Sequence, residues 1–183
     1  MFKTLACLLT ASNATQILSD PMPSTYLMGS QEKEAFTELN QIRTHASHPS
    51  PALFWSDCVA LAADDHCTDI AKSQKIGRKG EGNSSPRDRI NGYDLKTHWR
   101  FVVDEVDWAS TMSATGMIDD MYMESGKEGR ELEKSMLNKD MTVVGMAYCD
   151  TELYLGGHVL VVDFATDNKP NGHCRRSAEK RSK

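Results

Sequence analysis

The chain has 183 residues, 39% of them hydrophobic and 26% charged, with a formal net charge of −5; that length suits one domain with ragged ends and can bury a real core. No run approaches the roughly 20 apolar residues that cross a bilayer as a helix, which argues against a transmembrane protein. An acidic body also disfavours broad nucleic-acid binding, since that needs a basic surface to displace counterions from phosphates.

Residues 1–18 begin with Lys3, a short apolar stretch centred on LACLL and then small residues, the order of a compact secretory signal. Residues 19–30 carry prolines, serines and a glycine and read as an extended arm. The folded body runs from 31 to 167. In QEKEAFTELNQIRTH, Phe36, Leu39, Ile42 and Arg43 recur at helical spacing, and the prolines of HPSP end that helix. A second helix is expected across SDCVALAADDHCTDIAKSQKIG, with Ser56 or Asp57 as N-cap and Gly77 as C-terminal breaker. Its apolar stripe, Val59, Ala62, Ala63, Cys67, Ile70 and Ala71, is made largely of small residues and predicts close packing.

GEGNSSPRDRING is turn-rich and charged and reads as a surface loop. WRFVVDEVDW reads as a strand, ASTMSATGMIDDMYM and GRELEKSMLN as helices, and MTVVGMAY and ELYLGGHVLVVDFA as two strands joined through CDT in a hairpin. Helices on either side of such strands cover both faces of a sheet, which predicts an α+β fold, a three-layer α/β/α sandwich with a central, mainly antiparallel sheet. Residues 168–183 form a basic tail. Its last ten residues hold five Lys or Arg against one Glu, which makes it a solvated end or a contact for an acidic partner.

The five cysteines include no CxxC pair, so no zinc framework is written in them. Cys58 and Cys67 lie nine residues apart on one helix, about 13 Å at 1.5 Å per residue, too far to bond each other; buried free thiols or partners for loops are the readings left open. Cys149 and Cys174 flank the closing hairpin and are the disulfide candidates. Two sequons occur, at Asn13 and Asn83, and Asn83 is the glycosylation candidate because Asn13 would leave with the signal. The densest cluster of chemistry-bearing residues is DDHCTD, Asp64 to Asp69. Helical geometry sets His66 beside Asp69, with Cys67 turned to the apolar stripe. One helix offers too few ligands for zinc, so the cluster reads as an Asp–His pair on a helix surface.

Taken in order, LNQIR, LFWSDCVALAADDHCTDIA, IGRKGEGNSSPRDRINGY, VVDEVDW, MIDDMYMESGKEGRELEKSMLN and the VVGMAY and VLVVDFA strands resemble the motifs of the CAP superfamily of cysteine-rich secretory, antigen-five and pathogenesis-related proteins, the SCP domain. The likeness spans about residues 34 to 167 and is closest to the SCP-like extracellular branch of bacteria and protists. It implies Asn40 and Arg43 as scaffold residues, and a cavity that in complete members is built from two histidines and two carboxylates. Here Arg78 stands at the first histidine position and Leu132 at the second, while Glu105 keeps a carboxylate position. Arginine is always protonated and leucine has no donor atom, so the inherited metal site is expected to be absent, with no metal and no cofactor.

Glu105, Arg78 and His158 form the expected remnant of the cavity, with Arg78 paired to Glu105 and His158 entering from the GGHVLVV strand. The resemblance and these losses together predict a secreted, extracellular protein that binds a lipid, small ligand or protein partner without catalysis. A subunit of an intracellular assembly, and a metal-dependent enzyme with relocated ligands, are the alternatives.

Overall fold

The computed structural model describes residues 26–93, 103–124, 126–152 and 157–166. The expected signal, most of the arm, Asn13, Cys7, Cys174 and the basic tail lie outside the described residues. Among the described residues four strands form one sheet in the order β1 (Phe54–Trp55), β3 (Val143–Asp150), β4 (His158–Ala165), β2 (Val103–Ser110). β1 runs parallel to β3, and the other two pairings are antiparallel. Helices α1 (Ser30–His45), α4 (Ala114–Met123) and α5 (Gly126–Met136) lie on one face, and α2 (Asp57–Ser73) and α3 (Pro86–Asn91) on the other. The fold is α+β, in three layers.

Alternation along the strands explains the layering, because successive side chains of a strand point to opposite faces. Val106, Val144, Met146, Leu160, Val162 and Phe164 enter a large core with Leu39, Met117, Ile118, Met121 and Met136 from the helices. Their neighbours Val143, Ala147, Val159 and Val161 turn to α2, where Val59, Ala62, Ala63, Cys67 and Ile70 meet them. The small residues of α2 let it sit very close to the sheet. A Cβ on Gly145 of β3 would lie 2.0 Å from the Ala60 nitrogen, so only glycine fits beneath this helix.

Several local expectations need correction. The GEGNSSPRDRING stretch is not all loop: a 3-10 turn, Glu81–Asn83, leads into α3. That helix begins with a capping box in which the Ser85 hydroxyl accepts from the Asp88 N–H while the Asp88 carboxylate accepts from the Ser85 N–H, followed by Pro86 at the first turn. Helix α2 ends at Ser73, before Gly77, because Gln74 adopts the left-handed conformation (φ 55°) and donates its N–H to the Ile70 carbonyl. The hairpin does not turn on CDT, since pairing continues to Asp150 opposite His158 and leaves 151–157 as the connection. β1 was hidden in what read as the approach to α2, and its two residues are too few to show a period of two.

Arg43 and Asn40 fasten α1 to its neighbours. The buried Arg43 guanidinium donates to the carbonyls of Pro51, Met136 and Asn138. Asn40 donates to the Leu53 carbonyl and accepts from the Leu53 N–H, holding the chain that enters β1.

Candidate functional site

Between α2, α3 and the sheet the chain buries an unusual concentration of ionisable groups. Glu105 and Asp107 lie two residues apart on β2 and therefore share its α2-facing side. Asp163 of β4 stands opposite Glu105 in the ladder and is fully buried. His66 reaches down from α2, with its Nε2 3.5 Å from Glu105 Oε1 and 3.7 Å from Asp107 Oδ2. Arg89 of α3 closes the cluster by pairing its Nη2 with Glu105 Oε2, both side chains being almost wholly shielded from water. Its other terminal nitrogen donates to the carbonyls of Ser84 (3.0 Å) and Arg78 (3.3 Å).

Hydrogen bonding inside the cluster is incomplete. His66 Nε2 lies 2.9 Å from the Gly77 carbonyl and donates to it, whereas His66 Nδ1 and Asp107 Oδ1 are buried without a hydrogen-bond partner. Both Asp163 oxygens are buried without a hydrogen-bond partner. Burial, and then the neighbouring carboxylates Asp163 and Asp107, push Glu105 well above the usual carboxylate range. Burial likewise raises Asp163, against the opposing pull of the facing Glu105 carboxyl and of the Arg89 charge. For His66 burial favours the neutral ring, but the nearby carboxylates of Asp107 and Glu105 outweigh it and raise its pKa.

Above His66 opens a cleft of about 600 Å³ between the C-terminal half of α2 and the segment 75–81, with Ile70, Lys72, Lys75, Ile76, Arg78 and Lys79 among its lining. The size lies within the usual range for small-molecule sites, roughly 300–1,000 Å³.

The expected remnant, Glu105 with Arg78 and His158, is not assembled as a unit. Glu105 pairs with Arg89, while the Arg78 side chain is exposed at the cleft and its carbonyl accepts from Arg89. His158 sits on the opposite face of the sheet, where it pairs with Asp150 at 2.9 Å and stacks on Tyr148 with ring centroids 4.7 Å apart. Leu132 also belongs to that other face and packs against the large core. Cys149 is bonded to Cys67, and not to Cys174, across a sequence separation of 82 residues. Cys58 is disulfide-bonded as well, so the free-thiol reading of the two α2 cysteines is overturned. Asn83 is exposed, in the left-handed conformation (φ 63°) at the end of the 3-10 turn.

DDHCTD therefore contributes more than a surface pair. Asp69 does lie outward and accepts from the Glu81 N–H, but His66 is wholly buried in the cluster. Arg89 lies in GEGNSSPRDRING, whose reading as a surface loop hid its role. Asp107 could have been found by stepping two residues along the strand from Glu105, and Asp163 by asking why one acid interrupts VLVVDFA.

A three-layer fold with a buried acid–histidine cluster beneath a helix defines the class, and sequence comparison supplies the family. The cysteine-rich secretory protein family, CAP, matches residues 36–164; the chain belongs to it. Solved structures share the fold at low identity. An outer surface protein of Borrelia burgdorferi superposes with a TM-score of 0.58 at 12% identity, covering 80% of this chain and 100% of that one. An extracellular SCP-domain protein of Bacillus anthracis gives 0.52 at 16% identity, covering 79% of this chain and 45% of that one. Venom allergen-like protein 4 of Schistosoma mansoni gives 0.51 at 13%, covering 84% and 99%. No curated protein matches by sequence. Among the described residues no helix is long and apolar enough to cross a membrane.

Proposed function

We propose that this chain is an extracellular CAP protein that acts by binding and not by catalysis. The observation that carries the reading is the buried pairing of Glu105 with Arg89. A general acid or base must reach the proton it moves on a substrate, and here the retained carboxylate is turned inward onto a guanidinium. The surface left open is the cleft, where Lys72, Lys75 and Lys79 surround the apolar Ile70 and Ile76. That combination suits an amphipathic anion, a fatty-acyl carboxylate or a lipid phosphate. Secretion is supported by the signal-like residues 1–18 and by the Cys67–Cys149 disulfide, a bond that persists in oxidising compartments.

Two measurements test this. A fluorescent fatty acid and phosphatidic-acid vesicles are titrated into the full chain and into Lys72→Glu/Lys75→Glu; binding to at least one, weakened about tenfold or more in the variant, is expected. Binding to neither, or hydrolysis of an ester, peptide or glycoside panel that Glu105→Gln abolishes, overturns the reading. Intact mass of protein from a secreting host, with and without reductant, reports signal cleavage and disulfides; a retained N-terminus with reduced cysteines would place the protein inside the cell.

A further inference from the structure

We infer that Cys58 is crosslinked to Cys174, a second disulfide that ties the C-terminal segment to the first turn of α2. Cys58 is disulfide-bonded, and among the five cysteines the bond between Cys67 and Cys149 removes two from the choice of partner. Cys7 and Cys174 remain. Cys7 falls within residues 1–18, the signal-like segment that secretion removes. A secreted chain then holds four cysteines, and Cys174 is the thiol that completes the second pair.

The place of Cys58 in the fold agrees. It is 5% exposed and packs in one buried cluster with Val59, Val143 and Ala165. Ala165 is the last residue of β4, and its carbonyl accepts from the Thr142 N–H at the foot of β3. The chain therefore leaves the sheet beside the sulfur it has to reach. A disulfide needs Cα atoms about 4.4–6.8 Å apart, and the eight residues from Thr166 to Cys174 span at most about 26–29 Å, which leaves slack for a reversal. Pro170, Asn171 and Gly172 are residue types that reverse a chain. Cys149 lies six residues beyond Val143 on β3, about 20 Å at 3.4 Å per residue, so the two α2 cysteines cannot trade partners.

Forming the bond takes two electrons and two protons from the two thiols; a donor disulfide of the oxidising compartment accepts them and leaves as a dithiol. The inference rests on the extracellular reading for that oxidant and for the loss of Cys7. Two staples on one helix follow from it. Cys67 fixes the middle of α2 to β3, and Cys58 fixes its first turn to the chain that leaves β4. The helix that supplies both His66 and a wall of the cleft is thus held at two points about 13 Å apart. The basic residues after Cys174 start from the N-terminal end of α2, about 21 Å of helix rise from Lys72, which separates the cations of the tail from those of the cleft.

The test is a disulfide map. The full chain is expressed in a secreting host, alkylated with iodoacetamide without reduction and cut before aspartate, which isolates Cys58 in 57–63, Cys67 in 65–68, Cys149 in 140–149 and Cys174 in 167–183. Mass spectrometry should find 57–63 joined to 167–183 and 65–68 joined to 140–149, with no alkylated Cys58. In Cys174→Ser, Cys58 should become alkylated, adding one free thiol per chain, with the Cys67–Cys149 pair intact and the Tm lower. If that variant is not secreted, the wild-type map still decides. Cys58 joined to Cys7 or to Cys149, or alkylated while Cys67–Cys149 is intact, overturns the inference alone. A chain that stays inside the host with every cysteine alkylated overturns the extracellular reading along with it.

Discussion

Gly145→Ala is a one-carbon change whose effect can be worked from the structure. The new Cβ would lie 2.0 Å from the Ala60 nitrogen and 2.3 Å from the Val59 carbonyl carbon, both backbone of α2, whereas ordinary contact begins at 3.4 Å. No rotamer can relieve a clash with backbone, so α2 must retreat from the sheet by about 1.4 Å. Overpacking of this kind costs about 1–3 kcal/mol, and the upper end is expected because a whole helix moves. For a chain of this size about 3 kcal/mol corresponds to a fall in Tm of about 6–12 °C. Differential scanning calorimetry of wild type and variant reads it directly. Gly82→Ala is the control: Gly82 has φ 64° but no atom within 4 Å of the added carbon, so it should lose about 1 kcal/mol from conformation alone. Equal Tm values for wild type and Gly145→Ala, or a larger loss in Gly82→Ala, would refute the claim that α2 is held at the distance of a missing side chain.

Arg89→Met leaves Glu105 buried without its guanidinium and should lower unfolding free energy by about 3–5 kcal/mol; urea denaturation measures it, and Arg89→Met/Glu105→Gln should recover part of the loss. Replacing both Cys67 and Cys149 by Ala opens an 82-residue loop and should cost about 4.5 kcal/mol by loop-closure entropy. The same denaturation experiment checks this, and a loss below about 1 kcal/mol would mean that the bond constrains the unfolded chain little. Asn83→Gln expressed in a secreting eukaryotic host should be lighter than wild type by one glycan; equal masses after correction for the substitution would show the sequon unused.

The layers and family were legible because long elements repeat their periods many times. Helix α1 and the two strands VVGMAYCD and HVLVVDFA show their buried sides without ambiguity. The site was less legible, because it is made by pairings between elements that sequence keeps apart. His66 looked like a surface residue on a helix with Asp64, Asp65 and Asp69, and nothing local shows that its side chain falls between α2 and β2. Arg78 was the expected partner of Glu105, and Arg89 lay within a stretch read as a surface loop. The capping box that starts α3 at Ser85 carries Arg89 into the interior and leaves Arg78 at the rim.

The Cys67–Cys149 bond has a consequence for assembly order. Cys67 waits for a partner made 82 residues later, while Cys58, on the same helix, is the nearest thiol in sequence. Once α2 has coiled, its own rise holds those two sulfurs about 13 Å apart. Helix formation is thus a proofreading step: the segment that carries His66 forbids the wrong crosslink until the β-hairpin arrives to supply the right one.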